Sequence, residues 1–247
     1  MARGTEWCPE GWDRHTYPHG DHSHPYYIVD RSPADSPHPS VLLMHEFPGI
    51  SDNLVALANV LAEDFRVVVP SIVGRDGSAT PLDSMRQICV RREVHILARH
   101  GVSASVAWLR EFADAHVADS SGRRYGVIGL CLTGNFALAL AVDPRVAAAV
   151  VGEPAIPVRP SGLGLSPGDS ASLAEHPDLR VQGYRFRYDC LSPGAKLDAA
   201  QRLLGGRMQV FTLTGPNQFG HSTLTGRWRS DAAIASTRAF LNERLAP

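Results

Sequence analysis

The chain has 247 residues, 44% of them hydrophobic and 20% charged, with a formal net charge of −1. That balance excludes a disordered or fibrous chain. The dispersed basic residues leave no electrostatic footprint for nucleic acid, and the pairs Arg91-Arg92 and Arg123-Arg124 read as solvated surface. No stretch approaches the ~18 apolar residues of a membrane span and no apolar leader opens the chain, so a cytoplasmic location without a membrane partner is expected.

In chain order, residues 1–40 read as an N-terminal hairpin and linker. Short strand-like runs at 14–17 and 26–29 flank a polar turn, and a Ser/Pro-rich stretch follows. Residues 41–44 form a continuous apolar run suited to a strand covered on both faces. Leu54, Leu57, Ala58 and Leu61 then recur at the spacing of one buried helix face. The alternation continues with a strand at 66–69, helical stretches at 84–99 and 102–117, a strand at 125–129, a helix at 132–142 and a strand at 146–151. Strand, helix, strand and helix follow at 179–188, 196–204, 208–213 and 232–245. Such alternation predicts an α/β fold with a mostly parallel central sheet and helices on both faces. One domain is expected over 1–247, with the Pro/Gly/Ser-rich residues 154–178 as an insertion over the site.

The segment that carries chemistry is YGVIGLCLTG at 125–134, in which an apolar strand runs through Gly-x-Cys-x-x-Gly into an apolar helix. A nucleophile on such a turn is held in a strained conformation that exposes it above the sheet. Cys131 is the candidate, although a buried packing cysteine is the common alternative. The Leu132 amide lies at the helix start, where unpaired N–H groups favour negative charge and form half of an oxyanion hole. In this kind of site the acid and then the histidine follow the nucleophile. Gly220-His221-Ser222 follows the last strand, and Asp189 follows the one before it. Asp189 also suits a helix cap, and Asp169 and Asp178 remain competitors within the insertion. Glu153, at a strand's carboxyl end, is placed to line a pocket for substrate, and Phe219 flanks the same site.

These segments resemble the dienelactone hydrolase (carboxymethylenebutenolidase) family of the α/β-hydrolases. The resemblance runs from about Val41 to Leu245 and rests on VLLMHEFPGI at 41–50, GLCLTG at 129–134, Asp189 and Gly220-His221-Ser222. It implies that Glu46 lies against the nucleophilic thiol, that the Phe47 amide is the second oxyanion donor, and that Arg75 meets a substrate carboxylate. Two positions depart from the pattern. Thr133 stands where the family has a glycine, and Thr225 stands where it has a second arginine.

The expected function is hydrolysis of a small ester or lactone through an acyl-cysteine. Cys131 is the nucleophile, His221 the proton carrier and Asp189 its orienting partner, with Glu46 beside them. The alternatives are a non-hydrolytic cyclase or isomerase that uses Cys131 or Glu46 as a base, and a silent binding protein. His15, His19, His22 and His24 fit no zinc spacing and no CxxC pair occurs, so neither metal nor cofactor is expected. The partner is a small-molecule substrate, and the chain is read as a monomer or homodimer.

Overall fold

The computed structural model describes residues 7–19, 22–47, 49–72, 76–77, 104–118, 122–155, 159–215 and 220–246. Eight strands form one sheet in the order β1-β2-β4-β3-β5-β6-β7-β8. β1 (Asp13–His19) and β2 (His22–Val29) are the expected hairpin at the sheet edge, and β2 runs antiparallel to β4 (Arg66–Pro70). From β4 onward the neighbours β3 (Ser40–Met44), β5 (Tyr125–Leu130), β6 (Val146–Gly152), β7 (Arg180–Phe186) and β8 (Met208–Leu213) are parallel. This is the α/β-hydrolase fold.

The continuous apolar runs are explained by burial on both faces. Every residue of β5 and β6 is buried. Because successive side chains point to opposite faces, Leu42, Met44, Val127 and Val151 join one hydrophobic cluster while Val41, Leu43, Ile128 and Val150 join the other. The first cluster is roofed by α2 (Ala104–His116), α3 (Gly134–Leu140), α4 (Pro167–Glu175) and α5 (Gly194–Leu204), through Leu109, Leu138, Leu173 and Leu197. The second is covered by α1 (Asp52–Leu61) and α6 (Asp231–Leu245). The face of α1 read from its spacing, Leu54, Leu57, Ala58 and Leu61, is the face it buries. Burying one such leucine contributes roughly 1.5–3 kcal/mol.

Residues 154–178, the expected insertion over the site, have regular structure of their own. They contain α4, which starts at a Ser166–Asp169 capping box with Pro167 in its first turn, and Asp169 pairs with Arg110 of α2 at 2.8 Å. Ser166 and Pro167 are a helix start, and the segment connects parallel β6 and β7. Among the described residues no helix is long and apolar enough to cross a membrane. The helix expected at 84–99, with Cys89, lies outside the described residues.

Candidate active site

The candidate site lies along the carboxyl edge of the sheet, beyond the ends of β3, β5, β6, β7 and β8, where ligands of open parallel sheets bind. β5 ends at Leu130 and Cys131 follows at φ 51. A side-chain-bearing residue takes that left-handed conformation at a cost on the order of 1–3 kcal/mol. The surroundings leave little choice. The Cys131 carbonyl accepts the Ala155 N–H at 3.0 Å. A Cβ at Gly129 would stand 2.2 Å from the Thr133 carbonyl oxygen, and one at Gly134 would stand 2.8 Å from Pro154 Cα. Only glycines permit this approach of strand, turn and helix.

Thr133 turns out to be compatible with the elbow. Its buried hydroxyl accepts the Leu130 N–H at 3.0 Å and has the carbonyl oxygens of Leu130, Met44 and His45 within 3.0 to 3.2 Å as acceptors for its one proton. A β-branched residue therefore ties the elbow to the end of β3. The 3₁₀ turn Cys131–Thr133 leads directly into α3, which puts the Leu132 amide in the turn beside the sulfur.

His221 Nδ1 and Asp189 Oδ2 are 2.7 Å apart. The other Asp189 oxygen accepts the backbone N–H groups of Leu191 at 2.9 Å and Ser192 at 3.1 Å. The carboxylate is thus oriented by its own loop and holds the imidazole by one oxygen. His221 Nε2 is buried, faces the Cys131 sulfur and makes no hydrogen bond of normal geometry among the described residues. Such bonds are commonly loose before substrate arrives. Burial opposes an imidazolium here, but the interactions with Asp189 and the Cys131 sulfur outweigh it and push the His221 pKa up to about 11. The pocket is built to hold an imidazolium beside the sulfur.

The loop that carries His221 is clamped by two buried glutamates. Glu46, just past β3, accepts hydroxyl hydrogen bonds from Ser222 on Oε2 and Thr225 on Oε1. Thr225, where the family resemblance placed an arginine, is fully buried and gives its proton to this carboxylate. Glu153, just past β6 at φ 31, is 0% exposed, and its Oε2 accepts both the N–H of Thr223 at 3.0 Å and the Thr223 hydroxyl. Burial first, and then the Glu46 charge, push its pKa up to about 8 against the lowering effect of Thr223 and His221, so Glu153 holds a proton at neutral pH. Glu153, expected to line a pocket for substrate, is turned to the histidine loop. A carboxyl with no exposed surface, it holds that loop.

Three further groups escaped the sequence reading. Arg185 of β7 is buried and bonds the carbonyls of Arg187, Asp189 and Ser192, which fixes the loop that presents Asp189. His45, the last residue before Glu46, is fully buried and bonds the Glu46 carbonyl. Thr223 donates its N–H and hydroxyl to Glu153. A charged or imidazole side chain inside an apolar strand run (VLLMH, VQGYR) was the available signal, since such a group is buried only with partners.

Of the other expected residues, Phe47 follows Glu46 and is half-buried, whereas Arg75 and Phe219 lie outside the described residues. The competing acids are engaged elsewhere, Asp169 with Arg110 and Asp178 with Arg124. Cys8 and Cys190 are exposed. In the hairpin, His15 stacks on Tyr26 and His24 packs against Trp108.

The model of the dienelactone hydrolase family matches residues 27–161, more than half of the chain, including Glu46 and the elbow. No functionally curated protein matches the sequence. Among solved structures, a dienelactone hydrolase-like promiscuous phosphotriesterase from metagenomic libraries superposes with a TM-score of 0.68 at 17% identity, covering 95% of this chain and 98% of its own. A cold-adapted esterase from an Arctic intertidal metagenomic library gives 0.60 at 16% identity over 95% and 93%. The thioesterase domain of the curacin biosynthetic pathway gives 0.60 at 12% identity over 94% and 99%. At these identities the likeness is one of fold.

Proposed function

The chain belongs to the dienelactone hydrolase family and is a dienelactone hydrolase-like carboxylic ester hydrolase, and from that premise we propose that it cleaves a small ester or lactone through an acyl-cysteine at Cys131. The observation that carries the reading is Cys131 on a strained turn facing His221 Nε2, with Asp189 2.7 Å from Nδ1.

In the first half-reaction the Cys131 sulfur, its proton already held on the His221 imidazolium, adds to the carbonyl carbon. The carbonyl electron pair moves onto oxygen, which receives the amides of Phe47 and Leu132. One such donor is worth roughly 3–4 kcal/mol in comparable sites. Collapse expels the alkoxide, which His221 protonates. Water then attacks the thioester as His221 accepts its proton, and the thiolate leaves. Asp189 stabilises the imidazolium formed in each half. Glu46 is committed to the hydroxyls of Ser222 and Thr225 on both oxygens, which suits a structural anion better than the general base of an isomerase.

The favoured substrate is neutral or carries at most one contacted carboxylate. Position 225 offers no cation, because Thr225 is buried against Glu46. A missing arginine contact is worth about 10- to 100-fold in kcat/KM toward a dienelactone carboxylate. An ester and lactone panel read by acid release, with a dienelactone compared as free acid and methyl ester, tests both statements. Cys131→Ala should be inactive, while Cys8→Ala and Cys190→Ala, at exposed positions, keep at least about a tenth of the activity, a loss of no more than about 1.4 kcal/mol. Turnover of a carbonyl compound without acid release would support the cyclase or isomerase alternative, and a strong preference for the free acid would refute the substrate reading.

A further inference from the structure

The Glu46–Phe47 peptide is held from its carbonyl side. The Glu46 oxygen accepts the Gly49 N–H at 3.1 Å and approaches His45 Nδ1 at 2.8 Å. A carbonyl can only accept, so Nδ1 carries the proton. The other ring nitrogen, Nε2, accepts the N–H of Ile72 at 2.9 Å, beyond the end of β4. The two contacts together require the neutral Nδ1–H tautomer, and complete burial of the ring, which favours the uncharged form, agrees with it. His45 thus bridges the loop after β3 to the loop after β4, and the Thr133 hydroxyl lies within 3.1 to 3.2 Å of the Met44 and His45 carbonyls just before it.

In a planar trans peptide the C=O and N–H point in opposite directions. Two partners on the two lone pairs of the Glu46 oxygen therefore fix where the Phe47 N–H points. We propose that His45 is the positioning residue of the oxyanion hole. Its imidazole, pinned at Nε2 by Ile72, pins the Glu46 carbonyl at Nδ1 and so preorganises the Phe47 amide for the oxyanion. This rests on the reading of Phe47 as an oxyanion donor in attack by Cys131. His45 touches neither substrate nor sulfur in this role. It removes the need to rotate a peptide as charge develops, and preorganisation of this kind is what gives oxyanion donors their value.

The test uses the full-length enzyme with His45→Phe, which keeps a ring of similar size without hydrogen bonds, and His45→Gln, whose amide can still donate to one partner and accept from the other. His45→Asn, polar but too short to bridge both, replaces His45→Phe should the latter not fold. Loss of one oxyanion donor costs 10²–10³ in kcat. Because Gly49 still holds the carbonyl, His45→Phe should lower kcat by roughly 10- to 100-fold with KM within about threefold, and His45→Gln should restore most of it. Two probes separate this from general damage. A trifluoromethyl ketone adds to the Cys131 sulfur, its carbonyl pair moving to oxygen while the proton stays on His221, and its affinity should fall in step with kcat. Iodoacetamide alkylates the same sulfur without forming an oxyanion, and its rate should stay within about twofold of wild type. Retention of both kcat and ketone affinity in His45→Phe overturns the proposal. So does equal loss in the alkylation rate, which would place His45 in thiol activation. No ketone adduct on the wild-type enzyme would instead show that the acyl-cysteine reading itself is wrong, and the proposal would fall with it.

Discussion

Glu153→Gln isolates the proton that Glu153 holds in the fold. The ordinary glutamate value is 4.5 and burial raises it to about 8. Below pH 4.5 both folded and unfolded chains keep the proton. As pH rises, the unfolded chain releases it first, so the folded state loses relative stability between pH 4.5 and about 8, and the loss levels off above that. By pH 8 the difference amounts to about 4 kcal/mol, at 1.36 kcal/mol per pKa unit. The Gln variant does not titrate and keeps an oxygen for the Thr223 N–H and hydroxyl. Its NH₂ replaces Oε1, a buried atom without a hydrogen-bond partner among the described residues, which costs about 1–3 kcal/mol. The variant should therefore be less stable than wild type near pH 5, by about 0–2 kcal/mol, and more stable near pH 8, by about 1–3 kcal/mol or roughly 2–12 °C in Tm at this chain length. Circular-dichroism melts in steps from pH 5 to pH 9 read this directly. Parallel stability curves for the two proteins, with no crossing, would refute the assignment of a protonated, buried Glu153.

Asp189→Asn should reduce kcat by about 10²–10⁴, and NMR titration should show His221 moving down from about 11 towards 6.5. Since the folded value lies above 6.5, the stabilisation from this pair is complete below pH 6.5 and fades as pH rises towards 11, and the variant should lose that slope. An unshifted His221 titration would remove Asp189 from the triad. Arg185→Met should cost about 2–3 kcal/mol in urea melts through lost bonds to the carbonyls of the acid loop, with kcat falling more than KM rises. Lower stability with intact kcat would mean that the loop is held by other contacts.

Periodicity made most of the fold legible. The 3.6-residue spacing of Leu54, Leu57, Ala58 and Leu61 and the apolar runs of β3 to β6 each have a single packing solution, a helix face or a strand buried on both sides. The elbow was legible for a local reason, since Gly129 and Gly134 are dictated by backbone contacts within a few residues of Cys131 or across one strand. The α4 start was not legible in this way, because Ser, Pro and Gly serve both a loop and a capped helix.

The sequence by itself determined the strand–helix order, the strand-to-helix turn at Cys131 and the chain order of the proposed site residues Cys131, Asp189 and His221, because these are encoded in short-range spacing and chain order. Only the tertiary structure decided what each carboxylate and each odd polar residue does. Glu46 and Glu153 look alike as carboxylates just past a strand, yet one holds Ser222 and Thr225 and the other, emptied of charge by burial, holds Thr223. His45 and Arg185 read as misplaced polar residues until their partners arrive from other strands. Desolvation and hydrogen-bond geometry depend on neighbours distant in sequence, Thr223 being 70 residues from Glu153, and no local pattern carries that distance.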